Sequence, residues 1–320
     1  MQTALTDLLS IRAPILGGTM MDLSTAPFVT AICEAGALGI IASAIYRDYD
    51  TFRDDLKRVK DGTDQPFAVN INLFPVMEKL DNRRYVEIMA EEGVRVVETS
   101  GFAPDEELVT LFKESGFTWL HKCVGVRYAR KAEALGADSV TVVGYENGGA
   151  TGNLNVTTLV LVPSTVDALG IPVVGGGGVV DGRTLAAVLV LGAAGAVVGT
   201  RLLLSEECPV HPRLKQALCE ADELSTDIIM RSVGFAHRVW MNSRAKEAAR
   251  VEAEGGGIAE LYPHVSGAAA RVMYETGDLE AGTVSVSQGV GLIRQVKPCK
   301  EIIAEMVAEA EALLGSAPRR

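Results

Sequence analysis

The sequence predicts a (β/α)8 TIM barrel with a small, mainly helical C-terminal cap. Eight short β-branched or apolar segments recur along the chain of 320 residues, and their starts lie 22 to 32 residues apart. Each interval is long enough for a helix and two short loops, which antiparallel hairpins would not need. The predicted strands are residues 14–18, 38–42, 67–73, 95–99, 117–122, 139–145, 171–176 and 196–202.

The segments between these strands have helical periodicity. Leu185, Val188 and Leu189 form one apolar face, and Leu108, Leu111 and Phe112 form part of another. Strands that alternate with such helices are buried on both faces, which favours a closed parallel barrel. An open doubly wound sheet is the alternative, and the count of eight strands argues against it.

The βα rhythm stops after about residue 204, and this divides the chain. Residues 205–295 are partly helical and partly glycine-rich, so we expect a cap over the active site. Residues 1–204 and 296–320 then form the barrel with a terminal helix. The apolar face of that helix is Ile302, Ile303, Met306, Val307, Ala310, Leu313 and Leu314.

Composition excludes several classes of protein. With 48% hydrophobic residues the chain can bury one large core, and its net charge of −11 argues against nucleic-acid and anionic-membrane partners. The five cysteines are scattered without a CxxC pair, so we expect reduced thiols and no metal site. The N-terminus has no signal-peptide pattern, and the most apolar stretch, 185–199, is shorter than the about 20 residues that span a membrane. We therefore expect a cytoplasmic protein.

Glycine-rich segments fall where three predicted strands end, at residues 144–152, 175–182 and 197–201. In such barrels the carboxyl ends of the strands carry the active site, and the last two strands bind phosphate. Glycines let backbone amides approach an anion closely, although they also serve tight turns. Residues 175–182 do not fit the dinucleotide fingerprint in any register. The pattern therefore predicts a phosphate site outside a Rossmann fold.

Several segments together resemble one known family. Residues 11–20, 67–73, 121–140, 144–152, 159–183 and 191–207 are similar to the nitronate monooxygenase (2-nitropropane dioxygenase) family. Flavin-dependent enoyl-ACP reductases share much of this pattern, and the resemblance extends to 235–247 and 285–293. The resemblance implies an FMN-binding barrel and an oxidoreductase.

The resemblance also implies positions for the cofactor. A lysine near the pyrimidine edge of the flavin would stabilise the anionic reduced ring, which fits Lys122 at the end of a strand. Without the resemblance, Lys122 could be a surface lysine, Asn70 could satisfy backbone groups, and Glu146 could accept hydrogen bonds from loop amides. The predicted cofactor-binding residues are Gly18, Thr19, Met20, Asn70, Lys122, Glu146, Gly148 and Gly149 near the ring, and Gly177, Gly178, Gly199 and Thr200 at the phosphate.

The chain departs from the family at the expected catalytic position. Nitronate monooxygenases typically carry a histidine where this sequence has Ala150, and Ser164 stands where many relatives have glutamine. Alanine cannot transfer a proton. By strand alternation His121 points away from the side of Lys122. The remaining histidines, His211, His237 and His264, fall in the cap; we expect surface or packing roles, although one of them could swing over the flavin.

Three functions stay open at this point. The first is an FMN-dependent oxidoreductase that acts on a small nitronate-like or conjugated substrate. The second is an NAD(P)H-dependent reductase of an enoyl thioester or quinone, and the third is a flavin-binding protein without turnover. The sequence does not identify the substrate, the residue that replaces the histidine or the electron acceptor, for which NAD(P)H and O2 are both candidates. A homodimer is compatible with it.

Overall fold

The computed structural model describes residues 1–74 and 81–316. This part of the chain contains eleven strands, and all eight predicted strands are among them. The strands are β1 (Ile15–Gly17), β2 (Gly39–Ala42), β3 (Phe67–Asn72), β4 (Val96–Ser100), β5 (Thr118–Cys123), β6 (Ser139–Val143), β7 (Gly149–Ala150), β8 (Val173–Gly176), β9 (Gly195–Val198), β10 (Thr226–Ile229) and β11 (His237–Trp240).

Eight of the strands form a parallel sheet in the order β1-β9-β8-β6-β5-β4-β3-β2. The two outer strands of this order meet: Gly17 N donates to Leu38 O over 2.8 Å, and Leu38 N donates to Ile15 O over 3.0 Å. The sheet therefore curls into a nearly closed barrel, and the predicted fold class is confirmed.

Helices alternate with the barrel strands and continue after them. Three short 3₁₀ helices lie at Met21–Leu23, Ser43–Ile45 and Gln288–Leu292. The α-helices are α1 (Ala4–Leu9), α2 (Ala26–Glu34), α3 (Tyr49–Gly62), α4 (Asn82–Glu91), α5 (Glu106–Glu114), α6 (Val126–Leu135), α7 (Thr158–Val166), α8 (Gly182–Val190), α9 (Thr200–Leu203), α10 (Pro212–Cys219), α11 (Ser243–Ala253), α12 (Ile258–Val265), α13 (Gly267–Thr276) and α14 (Cys299–Ser316).

The barrel has an inner and an outer apolar core. Side chains from alternate strand positions fill the interior, and Leu5, Leu9 and Ile11 of the N-terminal segment pack against them. A separate and larger core lies between the strands and the surrounding helices. All five cysteines are buried and unpaired. The inner core consists of Leu5, Leu9, Ile11, Leu16, Leu38, Ile40, Ala68, Val96, Leu120, Val143, Val174 and Val197.

The terminal helix α14 packs against α8 and α2, so it joins the outer layer of the barrel. Its buried residues include Ile302, Ile303, Met306 and Ala310 of the predicted apolar face. The last four residues of the predicted barrel segment 296–320 lie outside the described residues.

Two details differ from the prediction. The eighth strand ends at Val198 instead of residue 202, because the apolar run Leu202–Leu204 lies in and directly after the short helix α9. Residues 205–295 hold four α-helices and one 3₁₀ helix, which agrees with the expected helical character, but also β10 and β11, which pair with β7 in an antiparallel sheet. Short apolar runs do not distinguish a strand from a buried helical turn by periodicity, which explains the first difference.

Among residues 1–74 and 81–316, no helix is long and apolar enough to cross a membrane.

Candidate active site

The carboxyl ends of the barrel strands form the mouth of the barrel. A buried carboxylate lies on one side of this mouth. Glu98 lies on β4 two residues after the inward-facing Val96, so it also points into the barrel. Its side chain is completely buried. Oε2 accepts hydrogen bonds from Thr19 Oγ1 over 2.7 Å, Asn70 Nδ2 over 2.5 Å and Lys122 Nζ over 3.2 Å. Three of the predicted residues therefore converge on a carboxylate that the sequence analysis did not identify.

The strand register explains why these residues meet. Asn70 is the direct partner of Glu98, and Lys122 is the partner of Ser100, two residues further along β4. The hydroxyl of Ser100 also lies within 3.3 Å of both side-chain amide atoms of Asn70. Alternation alone indicates that each of these polar residues faces inward, because each follows an inner-core residue by two positions along its strand.

The cluster leaves hydrogen-bonding capacity unused. Glu98 Oε1 and Thr141 Oγ1 are buried without a hydrogen-bond partner among the described residues. Thr141 is the register partner of Lys122. Lys122 is 20% exposed, and Glu98 is the one acceptor for its ammonium in the described part of the chain. Because a buried polar group without a partner costs about 1–3 kcal/mol, these atoms indicate a polar ligand or ordered water.

The opposite side of the mouth is built from backbone. Gly177 and Gly178 follow β8 with φ values of +103° and +75°, which side chains rarely adopt. A methyl group at Gly177 would come within 2.6 Å of Thr158 Oγ1. At Gly199 an added Cβ would meet no atom within 4 Å. The end of β9 thus presents backbone to open space, whereas Gly177 at the end of β8 packs closely against Thr158; a phosphate at this place stays a prediction.

The residues that follow β1 and β9 lie side by side at this end of the barrel. A methyl group at Gly18 would lie 3.2 Å from Gly199 Cα, so the end of β1 runs beside that of β9. Thr200 Oγ1 accepts from Ser287 N over 2.9 Å, and its own hydrogen stays available for donation. Met20 is half-buried and donates its backbone N–H to Ser24 Oγ over 2.8 Å.

Glu146 secures the loop after β6. Its Oε2 accepts from Thr158 N and Thr158 Oγ1, each over 2.9 Å. Glu146 therefore accepts from one backbone amide, that of the first residue of α7, in agreement with the alternative that it is a structural acceptor. Gly148 packs so closely against Val286 and Ser287 that an added Cβ would lie within 2.7 Å of both. A contact of Glu146 or Gly148 with a cofactor stays a prediction.

The loop then forms β7, which carries Ala150. Ala150 pairs directly with His237 of β11, and Gly149 pairs with Arg238. The Nε2 atom of His237 lies 2.9 Å from Ser285 Oγ. Burial lowers the pKa of His237 to about 4, so the ring is neutral near pH 7. The sequence analysis placed His237 in the cap but did not detect its pairing with Ala150.

The other histidines have structural partners. His121 lies on the outer face of β5, as predicted, with Nδ1 2.8 Å from Thr99 Oγ1, and burial lowers its pKa to about 4. His211 caps α10 by accepting from Arg213 N over 3.1 Å. His264 Nδ1 lies 3.5 Å from an Arg244 nitrogen.

Comparison with known proteins gives consistent results. A family model described as nitronate monooxygenase matches residues 2–309. A curated protein from Mycobacterium tuberculosis, "(3aS,4S,5R,7aS)-5-hydroxy-7a-methyl-1-oxo-octahydro-1H-indene-4-carboxyl-CoA dehydrogenase", is 33% identical and covers 97% of this chain and 96% of its own. A probable nitronate monooxygenase from Staphylococcus saprophyticus is 28% identical, over 73% of this chain and 76% of its own. The solved structure of FabK from Thermotoga maritima is 34% identical, with a TM-score of 0.90 over 98% of both chains.

Proposed function

The chain belongs to the nitronate monooxygenase family of flavin-dependent oxidoreductases, and on that premise we propose an FMN-dependent enzyme that acts on an acyl thioester. In this proposal a hydride is exchanged with the carbon β to the thioester carbonyl. The observation that carries the proposal is Ala150, which stands where the family's nitronate-oxidising members typically have a histidine.

The polar side of the mouth fits a flavin ring. The pyrimidine edge of a flavin carries carbonyl oxygens, ring nitrogens and one N–H. Lys122 has N–H groups without an acceptor among the described residues, and Glu98 Oε1 is a buried acceptor without a donor. One cluster therefore offers the flavin both hydrogen-bond donors and a hydrogen-bond acceptor.

The backbone side of the mouth fits one phosphate. Gly199 leaves open space in which an anion can approach the backbone, an added Cβ at Gly178 would come no closer than 3.6 Å to another residue, and the Thr200 hydroxyl can donate. Since residues 175–182 lack the dinucleotide fingerprint, a single phosphate favours FMN over FAD.

Ala150 favours hydride exchange over nitronate chemistry. A methyl group can neither remove a proton from a neutral nitroalkane nor hydrogen-bond a nitronate anion. It also leaves more room beside the paired β7 and β11 strands than a histidine would. Hydride exchange at the carbon β to a thioester carbonyl needs no base at that carbon, and the proton of the hydroxyl or of the α carbon can be handled by a group other than residue 150.

The relatives support the same class of substrate. The name of the Mycobacterium tuberculosis protein describes a carboxyl-CoA group on one ring carbon and a hydroxyl on the next. Oxidation of that hydroxyl removes a hydride from the carbon β to the thioester carbonyl. A second protein of that name, from Rhodococcus jostii, is 32% identical over 97% of this chain.

Each part of the mouth then has a task in the proposed reaction. A bound flavin supplies a two-electron acceptor or donor. Glu98 fixes the ammonium of Lys122 and the amide of Asn70 in one orientation, so their remaining hydrogens point at a defined place. The glycine backbone after β8 and β9 holds the phosphate, and the backbone of Ser287 is hydrogen-bonded to Thr200 at the end of β9.

The proposal is tested by anaerobic mixing of the purified holoenzyme with single substrates while flavin absorbance is followed. We expect bleaching by β-hydroxybutyryl-CoA, or bleaching by NADH or NADPH that crotonyl-CoA reverses. Ethylnitronate and neutral nitroethane are the comparison substrates. Fast bleaching by ethylnitronate with no response to any thioester would overturn the proposal and favour a nitronate monooxygenase. If no donor reduces the flavin, the protein binds flavin without turnover.

The cofactor is identified in the same preparation. Heat-released flavin should run as FMN in chromatography, in about one equivalent per chain. Recovery of FAD in stoichiometric amount would contradict the single phosphate site.

A further inference from the structure

His237 occupies the space beside the position where the family's histidine is absent. It is the direct partner of Ala150 in the antiparallel pair of β7 and β11. Directly opposed residues in such a pair project to the same face, with Cβ atoms roughly 4.5–5.5 Å apart. The imidazole also lies close to the backbone of β7, because a Cβ built on Gly149, whose φ is +82°, would be 3.7 Å from both Cε1 and Nε2 of His237.

The pattern of burial shows that this face is accessible. Ala150, His237 and Ser285 are each half-buried, whereas Gly149, Ala236, Arg238 and Val284 beside them in sequence are buried. The side chain of Arg238 points to the other face, where its Nε donates to Tyr145 O over 3.2 Å. Ala150, His237 and Ser285 therefore share one face that a ligand can reach.

This face belongs to the mouth of the barrel. Ser287, two residues after Ser285, donates its backbone N–H to Thr200 Oγ1, and Gln288 N donates to Glu146 O over 3.1 Å. The segment that carries Ser285 is thus attached to the loops after β6 and β9. His237 and Ser285 consequently lie next to the glycine backbone assigned to the cofactor.

We propose that His237 and Ser285 form the proton-transfer pair of this enzyme and replace the histidine that is absent at Ala150. The inference rests on the proposed thioester activity. In the oxidation of a β-hydroxyacyl thioester, the β C–H bond breaks and its electron pair leaves as hydride to the oxidised flavin. The hydroxyl O–H bond breaks, its proton passes to the Ser285–His237 pair and then to solvent, and a C=O bond forms. An electron acceptor of the class of O2 or an oxidised nicotinamide takes the two electrons from the flavin.

The hydrogen-bonding groups of His237 fit a proton relay. The pKa of His237 is lowered by burial alone, and no charged group contributes to the shift. A neutral imidazole has one ring nitrogen free to accept a proton and one N–H to donate. The contact of Nε2 with Ser285 Oγ lets a proton move along the hydroxyl in either direction.

A binding experiment tests the pair without turnover. Acetoacetyl-CoA, a β-keto thioester, is added to the FMN-loaded enzyme with isotope-labelled histidine, and the imidazole resonances are followed by NMR. We expect the His237 signal to shift while those of His121, His211 and His264 stay in place; assignment uses single His→Gln variants. A perturbed flavin spectrum without a shift of His237 would overturn the inference but leave the proposed function intact. No response of flavin or histidines to any thioester, with bleaching by ethylnitronate, would overturn both.

Rate measurements separate a chemical role from a structural one. His237→Gln and Ser285→Ala should slow flavin reduction by β-hydroxybutyryl-CoA about 10²–10⁴-fold, with a much smaller change in acetoacetyl-CoA affinity. His264→Gln, a half-buried histidine of the same cap segment, is the matched control and should retain the parent rate. FMN content and far-UV circular dichroism verify that each variant is folded and loaded. Equal rates for a folded, FMN-loaded His237→Gln variant and the parent would refute the role of the pair.

Discussion

The ammonium of Lys122 lies 3.2 Å from a carboxylate oxygen of Glu98, and that carboxylate is completely buried. Lys122 was predicted as a cation beside the flavin, and its pairing with the Glu98 carboxylate brings the net charge of the two side chains near zero. Any effect of Lys122 on a bound flavin is therefore partly cancelled by Glu98. The two side chains differ in exposure: that of Lys122 is 20% exposed, and that of Glu98 is completely buried.

Removing the lysine should destabilise the fold more than removing the carboxylate. Lys122→Met leaves a buried charge without its ion pair, and breaking a buried pair costs about 3–5 kcal/mol. Glu98→Gln leaves an ammonium that can still reach water, so we expect a clearly smaller loss. Urea unfolding of the two apoproteins measures the difference. The double variant Lys122→Met/Glu98→Gln should recover part of the loss; additive effects would show that the ion pair does not couple the residues.

The same pair should tune the flavin in opposite directions. Glu98→Gln leaves the charge of Lys122 uncompensated, which should stabilise the anionic reduced flavin and raise the midpoint potential. Lys122→Met should lower it. Both potentials are measured against reference dyes on FMN-loaded protein. Unchanged potentials in both variants would place the flavin ring away from this cluster.

Glu98 shows why part of the site was missed. The apolar run around residues 95–99 predicted β4 correctly, and the resemblance pointed to Thr19, Asn70 and Lys122 individually. Their common partner could be found only by combining strand alternation with the register between β3, β4 and β5. Alternation follows from the sequence, whereas register depends on how loops and helices fix each strand against the next.

Gly199→Ala should separate cofactor binding from folding. The backbone of Gly199 has φ −105° and ψ −71°, and an added Cβ meets no atom within 4 Å, so the apoprotein should keep or slightly gain stability. If a phosphate occupies that open space, the methyl group should weaken FMN binding by about tenfold or more (about 1.4 kcal/mol) and leave riboflavin binding unchanged. Fluorescence titration of apoprotein measures both affinities.

Gly315→Ala is the matched control for this substitution. Its added Cβ also meets no atom within 4 Å, but Gly315 lies near the end of α14, away from the mouth. It should bind both flavins like the parent. Equal loss of FMN and riboflavin affinity in Gly199→Ala would mean that the methyl group meets the ring instead of the phosphate.

His121 should make the fold sensitive to acid. Burial lowers its folded-state pKa from 6.5 to about 4, so the unfolded chain binds more protons between these values. Stability is then lost as pH falls from about 6.5 towards 4, at up to about 1.4 kcal/mol per pH unit from this group. His237 should contribute in the same direction.

The variant His121→Gln tests this contribution of His121 to the pH dependence of stability. Its loss of the contact with Thr99 should lower stability at pH 7, but the further loss between pH 7 and pH 5 should be smaller than in the parent. Urea midpoints at the two pH values give the comparison, and a pair of measurements at pH 7 and pH 8 serves as the internal control. Identical acid slopes for variant and parent would mean that His121 is charged in the folded state.

The sheet of β7, β10 and β11 is the part of the fold that was not predicted from the sequence. Thr226–Ile229 and His237–Trp240 are four residues each, and β7 is two residues with a glycine. Strands this short are stabilised by pairing with a distant segment, so no local pattern reveals them. The pairing of Ala150 with His237, across more than eighty residues of sequence, depends on that sheet.

Moving the histidine across the strand pair tests whether His237 replaces the missing residue. Ala150→His in a His237→Gln background places an imidazole on the same sheet face, roughly 5 Å from the original position. We expect it to restore about tenfold or more of the flavin reduction rate by β-hydroxybutyryl-CoA that His237→Gln loses. Ala150→Gln in the same background is the control, because glutamine fills similar space without proton transfer near neutral pH.

The single variant Ala150→His distinguishes the two substrate classes. With His237 intact, a second imidazole crowds the thioester site, so we expect slower reduction by β-hydroxybutyryl-CoA. If the chain is instead a nitronate monooxygenase that lacks its base, Ala150→His should raise neutral nitroethane oxidation more than ethylnitronate oxidation, by a share of the 10²–10⁴-fold that a positioned base contributes. Stopped-flow reduction with each substrate separates these results. A gain on nitroethane with unchanged thioester rates would assign the histidine position to nitroalkanes and remove His237 from the chemistry.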